Sequence, residues 1–97
     1  MCSYSNGMEV TFDPSKREKT LRERGLDFAA AGEVFEGPVL TLEDMRNDYG
    51  EARFQTYGSL SGRIVMVVWT PRPGARHIIS MRYCHEHEAS RARQRMG

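Results

Sequence analysis

The sequence predicts an α+β domain in which an antiparallel sheet carries two N-terminal helices on one face and a C-terminal helix at its edge. Three observations support this fold class. Arg63 to Thr70 is apolar on both faces, which is typical of a strand in the middle of a sheet. The connections on either side of it are short enough to join antiparallel strands. Two helical patterns precede these strands and one follows them.

The N-terminal third predicts a strand and two helices, which cover Met8 to Phe12, Pro14 to Arg24 and about Asp27 to Phe35. Asp13 is a favoured helix N-cap and Pro14 a favoured first-turn residue, while Gly25 ends the helix. The second helix has an apolar stripe that is expected to face the core, formed by Phe28, Ala31, Val34 and Phe35.

The rest of the chain predicts four strands and a final helix, at Val39 to Leu42, Ala52 to Tyr57, Arg63 to Thr70, Arg76 to Tyr83 and about His85 to Arg95. Glycine and proline mark the boundaries. Gly37 and Pro38 end the second helix, and a polar loop covers 43–50. Tight turns are expected at 58–62 and 71–74, so each joins two antiparallel strands.

Length and composition indicate one domain over residues 1–97, with a flexible leader at 1–7. The 97 residues are 39% hydrophobic, enough for one modest core. No apolar run approaches the length of a membrane span and the first residues do not form a secretion signal, so a cytoplasmic protein is expected. Cys2 and Cys84 form no CxxC pair, and we expect both to remain thiols.

The charge is divided unevenly along the chain. Residues 1–60 hold 7 Lys or Arg against 11 Asp or Glu, a net charge of −4, whereas residues 61–97 hold 7 Arg against 2 Glu, a net charge of +5. Local clustering of arginine is a common electrostatic feature of nucleic-acid binding, because the guanidinium binds phosphate through two hydrogen bonds. A well-solvated C-terminal helix is the alternative interpretation.

A series of landmarks in one order carries a family resemblance: Asp13-Pro14, Lys16, Arg24-Gly25, Phe28, Ala31, Val34-Phe35, Pro38, Glu51, Arg53, Gly58 and Ile78-Ile79-Ser80-Met81-Arg82. Together they resemble the BrnT family of small bacterial toxins, from about Asp13 to Glu88. The resemblance implies a RelE-like fold and a metal-independent ribonuclease without cofactors. It also implies a BrnA-type antitoxin, in a complex where two toxins flank an antitoxin dimer that supplies the DNA-binding element.

Two strands carry residues that match this family and suit a catalytic role. Arg53 belongs to a Glu-x-Arg pattern and is expected on the same strand face as Tyr57, which is suited to stacking on a base. An exposed ion pair between Glu51 and Arg53 is the alternative. Arg82 closes the Ile-Ser-x-Arg segment and is expected to bind phosphate or stabilise the transition state.

Simple alternation along the last strand predicts which side chains share each of its two faces. Arg76, Ser80 and Arg82 fall on one face, and His77 falls on the other unless a bulge intervenes. Arg76 and Ser80 are expected to bind RNA. His77 stands where the family more often has arginine, and the hypothesis is that it supplies acid–base catalysis. A partly buried structural histidine is the alternative.

The first helix has little apolar surface, so a polar face is expected to meet a ligand or solvent. Lys16, Thr20 and Arg24 are spaced along one side of it. In the family this line usually holds Lys, Asn and His, so only the lysine matches. We expect a catalytic role for Lys16 and RNA binding for Arg24, with a solvated face as the alternative.

The residue types in segment 84–88 resemble those of a metal-binding sequence, but their spacing does not suit a metal site. His85 and His87 are two residues apart and point to different sides of a helix, and no second Cys or His cluster completes a ligand set. No metal site is expected.

A second hypothesis for the whole chain is a degenerate toxin that binds an antitoxin without cleaving RNA. A DNA-binding regulator is a weaker alternative because no helix-turn-helix lies in a basic context.

Overall fold

The computed structural model describes residues 9–45 and 50–96. Along the chain they form β1 (Glu9–Phe12), α1 (Pro14–Arg24), a 3₁₀ turn (Phe28–Ala30), α2 (Ala31–Glu36), β2 (Val39–Glu43), β3 (Phe54–Leu60), β4 (Arg63–Arg72), β5 (Ala75–Tyr83) and α3 (Glu86–Met96). The predicted leader and residues 46–49 of the predicted loop lie outside the described residues. The α+β class is confirmed. No helix in the described ranges is long and apolar enough to cross a membrane.

The five strands form one mixed sheet in the order β1-β5-β4-β3-β2. The pairs from β2 to β5 are antiparallel, as predicted. β1, however, runs parallel to β5, with Glu9 opposite Ala75. The expectation of a wholly antiparallel sheet is therefore wrong for this strand. Short connections impose the antiparallel direction on the other pairs, whereas β1 and β5 are joined through the whole domain.

The first helix has the predicted bounds and the predicted caps. The Asp13 carboxylate accepts a hydrogen bond from the Ser15 backbone N–H at 2.9 Å, and Gly25 closes the helix with a φ of +71°. α1 has no buried residue. A bidentate pair, in which Arg17 donates to Asp27 at 2.7 and 2.9 Å, attaches it to the following turn and lowers the pKa of Asp27 to about 2. Polar bonds rather than an apolar face thus hold α1.

The main core lies on one face of the sheet. Side chains from the 3₁₀ turn and α2 pack there against β4 and β5, and the fully buried members are Leu26, Phe28, Ala31, Val34, Val65, Val67, Ile78 and Met81. This confirms the predicted apolar stripe. Phe54 also contacts this core, since its ring lies 5.1 Å from the Trp69 ring.

A smaller cluster covers part of the opposite face. Ala89 and Ala92 of α3 pack there against Ile64, with Tyr57 and Cys84 beside them. Ile64 and Tyr57 are each adjacent, within their own strand, to a residue that faces the main core. Because neighbouring residues of a strand point to opposite faces, this cluster lies on the sheet face opposite α2. The C-terminal helix therefore packs on the second face and contacts the edge strand β2.

The β3–β4 hairpin is tighter than the sequence predicted. Its turn contains only Ser61 and Gly62, with φ angles of +53° and +81°. Two positive φ angles are characteristic of a type I′ turn, whose twist matches that of the flanking strands. The predicted turn at 58–62 was too long, because Gly58 and Leu60 belong to β3.

A bulge in β5 reverses the alternation predicted for its side chains. Val68 pairs with Ser80 and Trp69 pairs with Ile78, so Ile79 has no partner in β4. An extra residue in one strand shifts every later side chain to the other face. His77, Ser80 and Arg82 therefore share one face, while Arg76 lies on the core face. The prediction that grouped Arg76 with Arg82 and opposed His77 to it was wrong.

Candidate functional site

A groove of about 900 Å³ lies beside α3 on the second face of the sheet. It collects side chains from five elements, α1, β2, β3, β5 and α3. We call it the arginine groove, and the residues that define it are Arg24, Tyr57, Arg82, Glu88, Arg91 and Arg95. His85 and His87 also line it. Three of the predicted site residues, Arg24, Tyr57 and Arg82, are thus brought together.

The charge of the arginine groove is strongly positive, since its lining in the part of the chain that the structure describes has four guanidinium groups and one carboxylate, that of Glu88. Arg91 and Arg95 are four residues apart in α3 and so lie on the same side of the helix. Arg93, between them, is exposed and does not line the groove. An anionic ligand with several charges suits this arrangement.

Arg82 and Glu88 form a bidentate ion pair in the groove. The Nη1 and Nη2 atoms of Arg82 donate to the two Glu88 carboxylate oxygens at 2.8 and 2.9 Å. The guanidinium lowers the pKa of Glu88 to about 2. The sequence placed Glu88 in the first turn of α3, as it is, but did not indicate this partner.

Glu88 stands at the start of α3, where the neighbouring Cys84 thiol and His85 backbone N–H, after Arg82, also contribute to lowering its pKa. Its position three residues after His85 is that of the glutamate in a helix capping box. Burial, followed by the nearby Glu88 carboxylate, raises the pKa of Cys84 to about 12. Cys84 therefore remains a protonated thiol at neutral pH.

Alkylation of Cys84 is expected to be very slow in the folded chain. Because the thiolate is the reactive form, a pKa near 12 lowers the rate with iodoacetamide at pH 8 by about a thousandfold relative to an ordinary cysteine. Mass spectrometry of a Cys2→Ser variant measures this rate, with the same variant in guanidinium chloride as the control. A native rate within tenfold of the denatured rate would contradict the assignment.

A shallower cavity of about 180 Å³ lies between α1 and β5. Lys16, Thr20 and Arg24 line it from the helix, and Ser80 lines it from the strand. β1 pairs with β5 only as far as Ile78, and Arg24 donates to the Met81 carbonyl beyond that point at 2.7 Å. Arg24 lines both cavities, so the row of polar side chains predicted along one side of α1 ends at the arginine groove.

Arg53 lies outside both cavities, just before β3 begins. Its Nε donates to Glu51 at 3.4 Å, and Arg72 donates to the other Glu51 oxygen at 3.3 Å. The ion pair that the sequence left as an alternative is therefore present. The structure does not bring Arg53 and Arg82 together around either cavity.

His77 and Arg76 also lie away from the arginine groove. His77 Nδ1 is hydrogen-bonded to the Thr11 hydroxyl at 2.9 Å across the β1–β5 pair, which is the kind of contact that a structural histidine makes. Arg76 stacks on Phe35, with its guanidinium carbon 4.1 Å from the ring centroid. Burial lowers the pKa of Arg76, and its Nε meets no hydrogen-bond partner among residues 9–45 and 50–96.

Several residues that line the groove were not predicted from the sequence as site residues. Arg91 and Arg95 could have been found from their i, i+4 spacing in a basic helix. His85 and His87 were considered only as metal ligands. In residues 9–45 and 50–96, no three His, Cys, Asp or Glu side chains are grouped so as to hold a metal ion.

Comparison with known families gives one match. A family model described as the ribonuclease toxin BrnT, of type II toxin–antitoxin systems, matches residues 12–88. A search of curated proteins found no significant match.

Proposed function

The chain belongs to the BrnT family of ribonuclease toxins of type II toxin–antitoxin systems, and from this premise we propose that it is an endoribonuclease that binds single-stranded RNA in the arginine groove. The observation that supports this site is the position of Tyr57 and Arg82 among three further arginines. Guanidinium groups bind phosphates through paired hydrogen bonds, and a phenol ring stacks on a base. The groove is therefore suited to bind both the phosphate and the base of a nucleotide.

The proposed reaction is metal-independent attack of the RNA 2′-hydroxyl on the adjacent phosphorus. The 2′-oxygen to phosphorus bond forms and the phosphorus to 5′-oxygen bond breaks, giving a cyclic phosphate and a 5′-hydroxyl. One proton leaves the attacking hydroxyl and one is given to the leaving oxygen. Arg82 stabilises the charge that develops on the phosphate oxygens, while Arg91 and Arg95 hold flanking phosphates.

Proton transfer is assigned to the histidines of the groove. Imidazole is the commonest general acid and base in enzymes, and His85 and His87 both line the cavity that contains Arg82. His77 was the earlier hypothesis for this role, but its contact with Thr11 lies outside the cavity. Lys16 and Ser80, in the neighbouring shallow cavity, are proposed to contact the RNA beyond Arg24.

The direct test is incubation of the purified chain with end-labelled single-stranded RNA in chelator and without ribosomes. Cleavage is the expected result. If no cleavage occurs but expression arrests growth, the toxin depends on the ribosome. If neither occurs, the proposed activity is wrong for this chain.

RNA affinity is expected to depend on two arginines of α3 and not on a third. Replacing Arg91 and Arg95 by Ala removes two cations from the groove, so affinity should fall about tenfold and the salt slope by about 1.4, or 0.7 for each lost phosphate contact. Each single variant, Arg91→Ala and Arg95→Ala, is also compared with Arg93→Ala, the matched control that removes one charge from the same helix outside the groove. Fluorescence anisotropy with labelled RNA at several salt concentrations measures both. An equal loss in the control would contradict the proposed site.

One observation favours a second function, that of a non-catalytic module that binds an antitoxin. Thr20 and Arg24 stand where the family usually has Asn and His, and Arg82 is already paired with Glu88. Such a module would not arrest growth when it is expressed alone, whereas an active toxin would.

The partner we propose is a BrnA-type antitoxin in a complex of two toxins and two antitoxins that binds DNA through the antitoxin. We also propose a RelE-like fold and a cytoplasmic site of action. An antitoxin that covers the arginine groove would inhibit cleavage by excluding RNA from Arg82. One that binds elsewhere would leave Arg82 accessible, and the inhibited complex would still bind RNA.

A further inference from the structure

We infer that Glu88 is a positioning residue, which holds Arg82 through its terminal nitrogens so that the remaining edge of the guanidinium receives the reacting phosphate. This inference rests on the proposed ribonuclease function. Its basis is the geometry of the pair and the way in which α3 fixes the carboxylate.

The hydrogen bonds of Arg82 leave one edge of its guanidinium unused. A guanidinium has five N–H donors. Glu88 accepts from Nη1 and Nη2 at 2.8 and 2.9 Å, and the Tyr83 carbonyl lies 3.4 Å from Nη1. Among the described residues, the Nε–H and the second Nη2–H of Arg82 meet no acceptor. These two donors are parallel, which suits two oxygens of one phosphate.

Glu88 is itself held in place before any ligand binds. It stands in the first turn of α3, where the helix dipole favours an anion, and both of its oxygens already accept from Arg82. Ala89 and Ala92 fix this helix against Ile64 of β4. The orientation of Arg82 is therefore set by the packing of α3 on the sheet, and the rotamer entropy of its long side chain is lost during folding rather than on binding RNA.

The opposite role for Glu88 is competition with the RNA phosphate for Arg82. That role would require phosphate to displace the carboxylate from all its donors. Because Glu88 binds the end of the guanidinium and leaves the side edge, both anions can be held at once. The two roles predict opposite effects of removing the Glu88 charge.

The test is Glu88→Gln in steady-state RNA cleavage, with Glu86→Gln as the matched control in the same turn of α3, since Glu86 is exposed. We expect the Glu88 variant to lower kcat about 10- to 100-fold, because a small misplacement of a catalytic group has effects of this size. KM should change less than about threefold, and Glu86→Gln should behave as the parent. Circular dichroism verifies that both variants are folded at the assay temperature.

A double-mutant cycle separates positioning from a merely structural role. In an Arg82→Ala background, Glu88→Gln should have no further effect on cleavage, because the group that it positions is absent. A second drop of the same size would overturn the inference, and so would parent-like kcat or tighter RNA binding in Glu88→Gln alone. In those cases the parent still cleaves and the ribonuclease function stands. If the parent neither cleaves nor binds RNA, the proposed function fails and the inference with it.

Discussion

Arg82→Ala is expected to lower the rate of RNA cleavage by about 10²- to 10³-fold, the loss that follows removal of one preorganised donor to a developing negative charge. Arg82 is the arginine of the groove whose position is fixed by a bidentate pair. Arg82→Lys should recover little, since an ammonium group keeps the charge but not the parallel donors. Single-turnover cleavage of end-labelled RNA in chelator measures the rates.

The matched control for this variant is Arg72→Ala. Arg72 is also a partly exposed strand arginine paired with a glutamate, Glu51, at 3.3 Å, but it lies outside the arginine groove. The control should cleave at the parent rate. A similar loss in both variants would mean that the total positive charge, rather than the position of Arg82, carries the effect.

Gly58→Val is expected to destabilise the fold by about 3 kcal/mol or more, a large part of the stability of a small domain. A Cβ atom at Gly58 would lie 2.6 Å from Val34 Cγ1 and 3.3 Å from the Val34 carbonyl oxygen. Val34 is fully buried in the core, so neither atom can move away without shifting α2 from the sheet. Chemical denaturation followed by circular dichroism measures the loss.

Two further variants sharpen the test at Gly58. Gly37→Val is the matched control, because a Cβ there meets no atom within 4 Å and the φ of −104° suits any residue. Val34→Ala combined with Gly58→Ala should be less destabilised than the sum of the single changes, since removing Cγ1 of Val34 relieves the closest contact. Additive losses would show that the close approach of α2 to β3 is not the cause.

Local signals predicted the helices and strands well, and non-local features were missed. Asp13, Pro14 and Gly25 define α1 because capping depends on neighbouring residues alone. The parallel pairing of β1 has no local signal. The same holds for the bulge at Ile79, since isoleucine is a favoured residue of regular strands. That single residue decided which face carries His77 and Arg76.

The same limit applies to the functional site. Arg82, Tyr57 and Arg24 were predicted from residue type and family pattern, and the fold brings them to one groove. Arg53 was predicted with them, but β3 begins after it and it pairs with Glu51 instead. Glu88 was missed as a partner of Arg82 because the contact crosses the junction between β5 and α3. Spacing within one element says nothing about such a contact.

The parallel pairing of β1 with β5 also determines the order in which the molecule can be assembled. Strands β2 to β5 are joined through neighbours in sequence, whereas Thr11 and His77, which hydrogen-bond across the β1–β5 pair, are 66 residues apart. Closing so long a loop costs entropy before any contact compensates for it, so such pairings form late in folding. Arg24 reaches Met81 over 57 residues and is subject to the same delay. A newly made chain therefore completes the arginine groove only when Arg24 of α1 reaches β5.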